Sequence, residues 1–171
     1  MKKLWVFAVG VILFAGCQKS DDAASVISVY TGNQSTYYLQ QASAYTISGT
    51  VTFKERKDGT TDILIALTGI TDDDQHPVHL HMGDISTNQA TIAALLVPVA
   101  GKNGQSKSNL AQLADGTFVT YGDLVRLDAS VNVHLASVGP SANIILAAGN
   151  VGNAVTKAST GRIGICRSSF F

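Results

Sequence analysis

Four histidines occur in the 171 residues, and three of them, His76, His79 and His81, fall within one short stretch, with His134 standing apart. His79 and His81 are two positions apart. On a strand both imidazoles share one face, because successive side chains alternate. Val78, Leu80 and Met82 occupy the other face. The apolar set belongs in a core, so the imidazoles point away from it. In Val131-Asn132-Val133-His134-Leu135 the same alternation places His134 beside Asn132 and opposite three apolar residues. If these two strands lie near each other, three imidazoles meet. Imidazole nitrogen suits copper and zinc. Three such nitrogens at ~2 Å make an open site with one free position. The competing reading is that the rings are only polar residues on outward faces, and both stay open. His76 precedes Pro77 in a loop and reads as structural or exposed rather than as a ligand.

Other chemistry is sparse. No serine sits in a nucleophile elbow, and no glycine loop is shaped to cradle phosphate. Asp72-Asp73-Asp74 is acidic but lacks the spaced ligands and glutamate of a calcium loop, so it reads as a solvated turn. Twelve basic and twelve acidic residues balance, and no basic cluster offers nucleic acid an electrostatic footprint.

The elements around the histidines read as strands. Ile47, Gly49, Val51 and Phe53 alternate with Thr46, Ser48, Thr50 and Thr52, a period of two in β-favouring residues. Asp58-Gly59 signals a hairpin turn, and Ile63, Ile65 and Leu67 alternate after it. Thr71 to Gln75 reads as an acidic loop, Val78 to Met82 and Ala90 to Val99 as strands, and Gly101 to Ser108 as a polar loop. Thr120 to Leu127 is the one helix candidate, with Thr120 as cap and Asp123 three residues on. Val131 to Leu135 and Ile144 to Ala148 follow as strands, Gly149 to Gly152 as a turn, and Arg162 to Cys166 as a last strand. Seven or so short strands with turns between them predict an all-β, antiparallel sandwich or barrel with one short helix.

The N-terminus has a different character. Lys2-Lys3, an apolar run from Leu4 to Ala15, and Gly16-Cys17 follow one another in the manner of a signal peptide. The run is shorter than the ~20 residues that span a bilayer core. Leu13-Phe14-Ala15-Gly16-Cys17 resembles the lipobox of bacterial lipoproteins, with Phe14 where that family prefers an aliphatic residue. The resemblance implies cleavage before Cys17 and acyl chains on it, which attach the protein to a membrane. Gln18-Lys19-Ser20-Asp21-Asp22 is similar to the surface-export tag of some Gram-negative lipoproteins. The expected organisation is residues 1–16 as signal peptide, 17–43 as lipidated cysteine and tether, and 44–171 as the β-domain; within the tether, Val26 to Tyr30 and Tyr37 to Leu39 read as short strands or as segments lying on the domain surface. The location implied is the outer membrane, with display at the cell surface as the extension. Cys166 is the other cysteine of the chain, and it reads as a small buried residue rather than a reactive thiol.

Two further resemblances cover much of the chain. Ser48-Gly49-Thr50-Val51-Thr52-Phe53, His79-Leu80-His81-Met82-Gly83, Thr120-Tyr121-Gly122-Asp123-Leu124 and Asn132-Val133-His134 resemble, in order, the motifs of the chordin-type (CHRD) domain. Ala148-Gly149 stands where that family commonly has Arg-Gly. This resemblance spans roughly Tyr45 to Gly152 and implies a Greek-key β-sandwich with no settled activity. His76-Pro77-Val78-His79-Leu80-His81-Met82-Gly83-Asp84 and Gly149-Asn150-Val151-Gly152 are similar to segments of Cu/Zn superoxide dismutase. That similarity implies copper ligation by His79, His81 and His134, with His76 structural. The dismutase also needs a bridging histidine and a zinc loop, and no histidine lies between His81 and His134.

Two classes of function follow. One is a non-enzymatic, membrane-anchored CHRD-like lipoprotein that binds a protein or envelope partner. The other is a copper-binding or dismutase-like redox protein using His79, His81 and His134, with copper, or else zinc, as the cofactor.

Overall fold

The computed structural model describes residues 28–87 and 90–156. Cys17, Cys166, the segment 1–16 and the strand expected at Arg162 to Cys166 lie outside the described residues. The strands are β1 (Tyr30–Gln41), β2 (Ser48–Arg56), β3 (Thr61–Thr68) and β4 (Gln75–Met82), then β5 (Ile92–Ala100), β6 (Gln105–Leu110), β7 (Asp128–His134) and β8 (Ile145–Gly152). They close an antiparallel barrel in the order β1-β2-β3-β6-β5-β4-β7-β8. β4, β5 and β6 form a meander, and β3 and β7 flank it on either side. Each flank completes a Greek key, in which three consecutive strands are joined by a neighbour arriving over a longer connection. The all-β, one-helix architecture expected from the alternation is thus the one observed.

The alternation places the core. Val51 and Phe53 of β2 meet Ile63 and Ile65 of β3, and Val78 and Leu80 of β4 meet Val131 and Val133 of β7, all buried. The β2–β3 turn works as its Asp-Gly pair predicts. Gly59 takes a positive φ of 87°, which costs glycine nothing. Asp58 Oδ1 accepts from Thr60 N–H at 3.0 Å and orders the turn locally. The single α-helix among the described residues, α1 (Tyr121–Leu124), is one turn long. Thr120 and Asp123 cap it reciprocally, and it presents Leu124 to the core.

The structure departs from the sequence expectation in several places, one being His76, read as part of a loop and found as the second residue of β4, paired with Val99. The barrel begins well before residue 44, because β1 falls inside the stretch read as tether. Only Tyr37 and Leu39 of β1 turn apolar surface inward, with Tyr37 set edge-on to Phe53 at 5.3 Å, so the strand carries little apolar signal. β6 falls largely inside the stretch read as a loop. Its Gln-Ser-Lys-Ser-Asn-Leu sequence is polar, yet it pairs with β3 from Thr61↔Leu110 to Ala66↔Gln105. Its side chains are spent on neighbours: Ser108 Oγ accepts from Val97 N–H at 2.8 Å. This contact substitutes for strand pairing, since β5 meets β6 only at Ala100↔Gln105. Pro98, which has no N–H, stands on β5, whose pairing with β4 is extensive and whose pairing with β6 is this short. Gly149 to Gly152, read as a turn, continues β8 alongside β7. Met82 keeps the face of Val78 and Leu80 and stands opposite Ala129, but as the last residue of β4 it is exposed rather than inside.

A polar cluster on the outer side of β3 was not legible in the sequence. The Asp62 side chain is buried and accepts from Tyr30 Oη–H at 2.6 Å and Asn109 Nδ2–H at 2.9 Å. Lys107 Nζ lies 2.9 Å and Arg56 Nη1 3.3 Å from the same carboxylate. Burial opposes ionisation, but the Tyr30, Lys107 and Asn109 hydrogen bonds outweigh it and hold this carboxyl well below the usual carboxylate range. A depressed folded pKa gives stability that is present above the unfolded value and lost as pH falls past it. Asp62→Asn should therefore lower stability at pH 7 by about 1–3 kcal/mol, part of the loss being recovered as Lys107 and Arg56 rehydrate. In urea titrations the gap between wild type and variant should narrow once the pH falls below about 4.

Candidate metal centre

β4 and β7 are neighbours, with His79 opposite Asn132 and His81 opposite Ser130. His134, two residues beyond Asn132, is therefore the diagonal neighbour of His79, within reach of an aromatic side chain. His79 and His81 share the outer face of β4 through the two-residue period. The three rings converge: the centroids of His79 and His134 lie 4.6 Å apart and those of His79 and His81 5.6 Å apart. One ligand nitrogen from each residue lies within 4.8 Å of the other two. Ligands held ~2 Å from one ion sit about 3.3–3.5 Å apart, so modest ring rotations would complete such a site.

Facing away from the core has not meant facing water. His81 and His134 are 1% and 2% exposed, and His79 is half-buried. Backbone from two loops covers the rings. His81 Nδ1 lies 3.1 Å from the Ala90 carbonyl, and His134 Nδ1 lies 2.9 Å from the Ala142 carbonyl in the 3-10 turn Pro140–Asn143. A carbonyl can only accept, so each Nδ1 carries the proton and each Nε2 keeps the lone pair. Such outer contacts fix the tautomer of a metal-binding histidine. His134 Nε2 is buried with no hydrogen-bond partner, and so is His79 Nδ1. A buried polar atom left unsatisfied costs about 1–3 kcal/mol. Two such nitrogens, on rings whose centroids are 4.6 Å apart, are a cost that an ion bound by both would remove.

Electrostatics agree with the geometry. Burial, then the nearby His134 and His81, push the His79 imidazole down to about 4. Burial lowers His81 and His134 as well, against the pull of their carbonyl partners. All three rings are neutral at pH 7, the form that binds metal. In the metal-free protein the unfolded chain takes up protons that the folded site refuses. Stability should be full above about pH 6.5 and fall as the pH drops towards 4, with about 2 kcal/mol from His79. Urea midpoints at pH 7.5, 6 and 5 check this directly.

No protein-family model, curated protein or solved structure matches the chain. The CHRD and dismutase resemblances therefore rest on the residues quoted for them.

His76 is not part of the converging group. It is fully buried, with Nδ1 3.2 Å from the Leu135 carbonyl and Nε2 2.9 Å from Asp72 Oδ1. It ties the β3–β4 loop to the end of β7. Burial works against Asp72, but its hydrogen bonds from His76 and from Asp74 N–H hold it below the ordinary range. Asp72 is thus occupied in a clasp. Sequence reasoning did not find the two carbonyls that lock the site, because main-chain acceptors leave no mark on residue type. A surface groove of about 450 Å³ lies elsewhere, where β1 parts from β8, lined by Tyr37, Tyr38, Ile85 and Val155 among others. None of the three histidines lines it, and a single ion needs no cavity of that size.

Proposed function

We propose that this chain is an envelope-anchored β-barrel that holds one copper or zinc ion between His79, His81 and His134. The observation that carries the reading is the convergence of three neutral imidazoles on which two buried nitrogens, His79 Nδ1 and His134 Nε2, have no hydrogen-bond partner. The locked tautomers of His81 and His134 support it. Anchoring rests on the lipobox resemblance at Cys17, and an exported site would meet loosely bound metal outside the cytoplasm. A dismutase role has less support, since the metal-ligating group among the described residues has three histidines and no acidic member.

Isothermal titration of metal-free protein with copper or zinc should give one site per chain. The His79→Ala/His81→Ala/His134→Ala variant should lose it. Equal affinity in the two proteins would remove the metal reading and return the chain to a scaffold or partner-binding role.

A further inference from the structure

We propose that the groove where β1 parts from β8 receives the chain's own C-terminal segment, with Arg162 to Cys166 lying as a strand against the free edge of β1. The proposal stands apart from the metal reading and does not depend on it.

The backbone supplies the first reason. β1 runs beside β2 from Tyr30↔Arg56 to Leu39↔Gly49, but it meets β8 only at Gln40↔Ala148 and Gln41↔Ala147. Between Tyr30 and Leu39 no strand among the described residues pairs with its second edge. Such an edge is a row of donors and acceptors that pairs readily with another extended segment. β8 comes hard against β1 at Gly149, where a Cβ would lie 2.1 Å from the Tyr38 carbonyl oxygen. It then ends at Gly152, whose φ of 59° turns the chain away into the 3-10 turn Asn153–Thr156.

The side chains supply the second. Tyr38, Ile85 and Val155 stand around the groove, with Ala148 and Gly149 among its lining. Asn150 fixes two of these walls. Its Oδ1 accepts from Ile85 N–H at 2.8 Å, and its Nδ2–H donates to the Ala154 carbonyl at 3.0 Å. Tyr38 is 78% and Val155 51% exposed, so the groove presents apolar surface that a docked segment would bury.

The third reason names the occupant. Thr156 is the last described residue and follows Val155, so the chain departs from the wall of the groove itself. Residues 157–171 lie outside the described residues. In their sequence, Lys157 to Gly161 has the length of an ordinary connection and ends in Ser-Thr-Gly, a turn signal. Arg162-Ile163-Gly164-Ile165-Cys166 then alternates with the period of a strand. On a strand Ile163 and Ile165 share a face, which suits the apolar walls. Five residues at about 3.4 Å each span about 17 Å, and the free edge of β1 is longer than that. A segment tethered beside its seat also meets it at high effective concentration, an advantage that a free peptide or a second copy lacks.

The test uses the full chain carrying Cys17→Ser, in which Cys166 is the one native thiol. A second cysteine is placed on the groove, by Thr36→Cys or Gln40→Cys, or off it, by Arg126→Cys. Arg126 is an exposed side chain whose carbonyl accepts from Asn153 Nδ2–H at 2.6 Å, so it lies near the departing chain. Under mild oxidation at least one groove variant should link to Cys166 within the same chain at least tenfold faster than the Arg126 variant, read by mass spectrometry of the digest. Removing residues 157–171 should speed amide exchange at Thr36 to Tyr38 at least tenfold and leave the amides of β5, on the far side of the barrel, unchanged. Equal linking rates at all three sites would overturn the proposal, because a segment with no fixed seat reaches each of them alike. Links between two chains would overturn it as well and assign the groove to a second copy. Unchanged exchange along β1 in the truncated chain would do the same, with the β5 amides showing that the barrel is still folded.

Discussion

Metal should raise the unfolding temperature of the wild-type chain by about 10 °C and leave His134→Ala almost unmoved. An ion that binds only the folded state stabilises it by about 2.7 kcal/mol when free metal stands at a hundred times Kd. For a domain of this size each kcal/mol moves the midpoint by about 3–4 °C. The folded state alone presents the site. His79 and His81 sit on β4 and His134 on β7, far apart in the chain and brought together by the register that pairs Val78 with Val133. Removing His134 leaves two imidazoles on one strand, and affinity should fall at least a hundredfold, which cancels most of the shift. Scanning calorimetry with and without metal reads the effect. The comparison that matters is loaded against unloaded within each protein, because His134→Ala also removes a buried ring and changes the metal-free midpoint. A shift in His134→Ala equal to that of wild type would show that the ion binds elsewhere.

The histidines were legible because they obey the simplest rule in a strand. A period of two separates faces, and Val78 and Leu80 declare which face is the core. The same rule found the β2–β3 hairpin and failed at β1 and β6. Those strands carry few apolar residues, so their membership in the barrel is decided by backbone pairing and by tertiary neighbours such as Phe53 and Val97. It fell short again at Met82, which keeps the face of Val78 and Leu80 opposite Ala129 but ends β4 and is exposed. Residue type also could not say that the triad is buried. That property comes from loops folding over the outer face, and it changes the chemistry from three hydrated rings to three desolvated ones. The Asp62 cluster is the same lesson on another strand. Its four partners come from β1, β2 and β6, and no local pattern links them.

The barrel itself should fail first at its seam, and Gly149→Ala should expose this with a stability loss of about 3 kcal/mol, at the upper end for overpacking. A Cβ built on Gly149 would lie 2.1 Å from the Tyr38 carbonyl oxygen and 3.2 Å from Leu39 Cδ2. The obstacle is backbone, so no side chain can rotate away, and a strand must move. β8 is held by β7 over seven residue pairs from Asp128↔Gly152 to His134↔Ile145, whereas β1 meets β8 only at Gln40↔Ala148 and Gln41↔Ala147. β1 should therefore be the strand that yields, towards the groove beside Tyr38. Gly122→Ala is the matched control: its Cβ would have ordinary contacts of 3.6 Å or more inside α1, and it should be neutral or slightly stabilising. Urea unfolding of the two variants gives the comparison. Because β4 and β7 keep their register when β1 yields, Gly149→Ala should hold its metal affinity within about threefold of wild type while its unfolding midpoint drops, far less than the roughly 10- to 100-fold expected when a contact that orients a ligand is lost. A parallel loss of affinity would mean instead that β8 moves and drags β7 with it, and that closure of the seam is part of what holds the three imidazoles together.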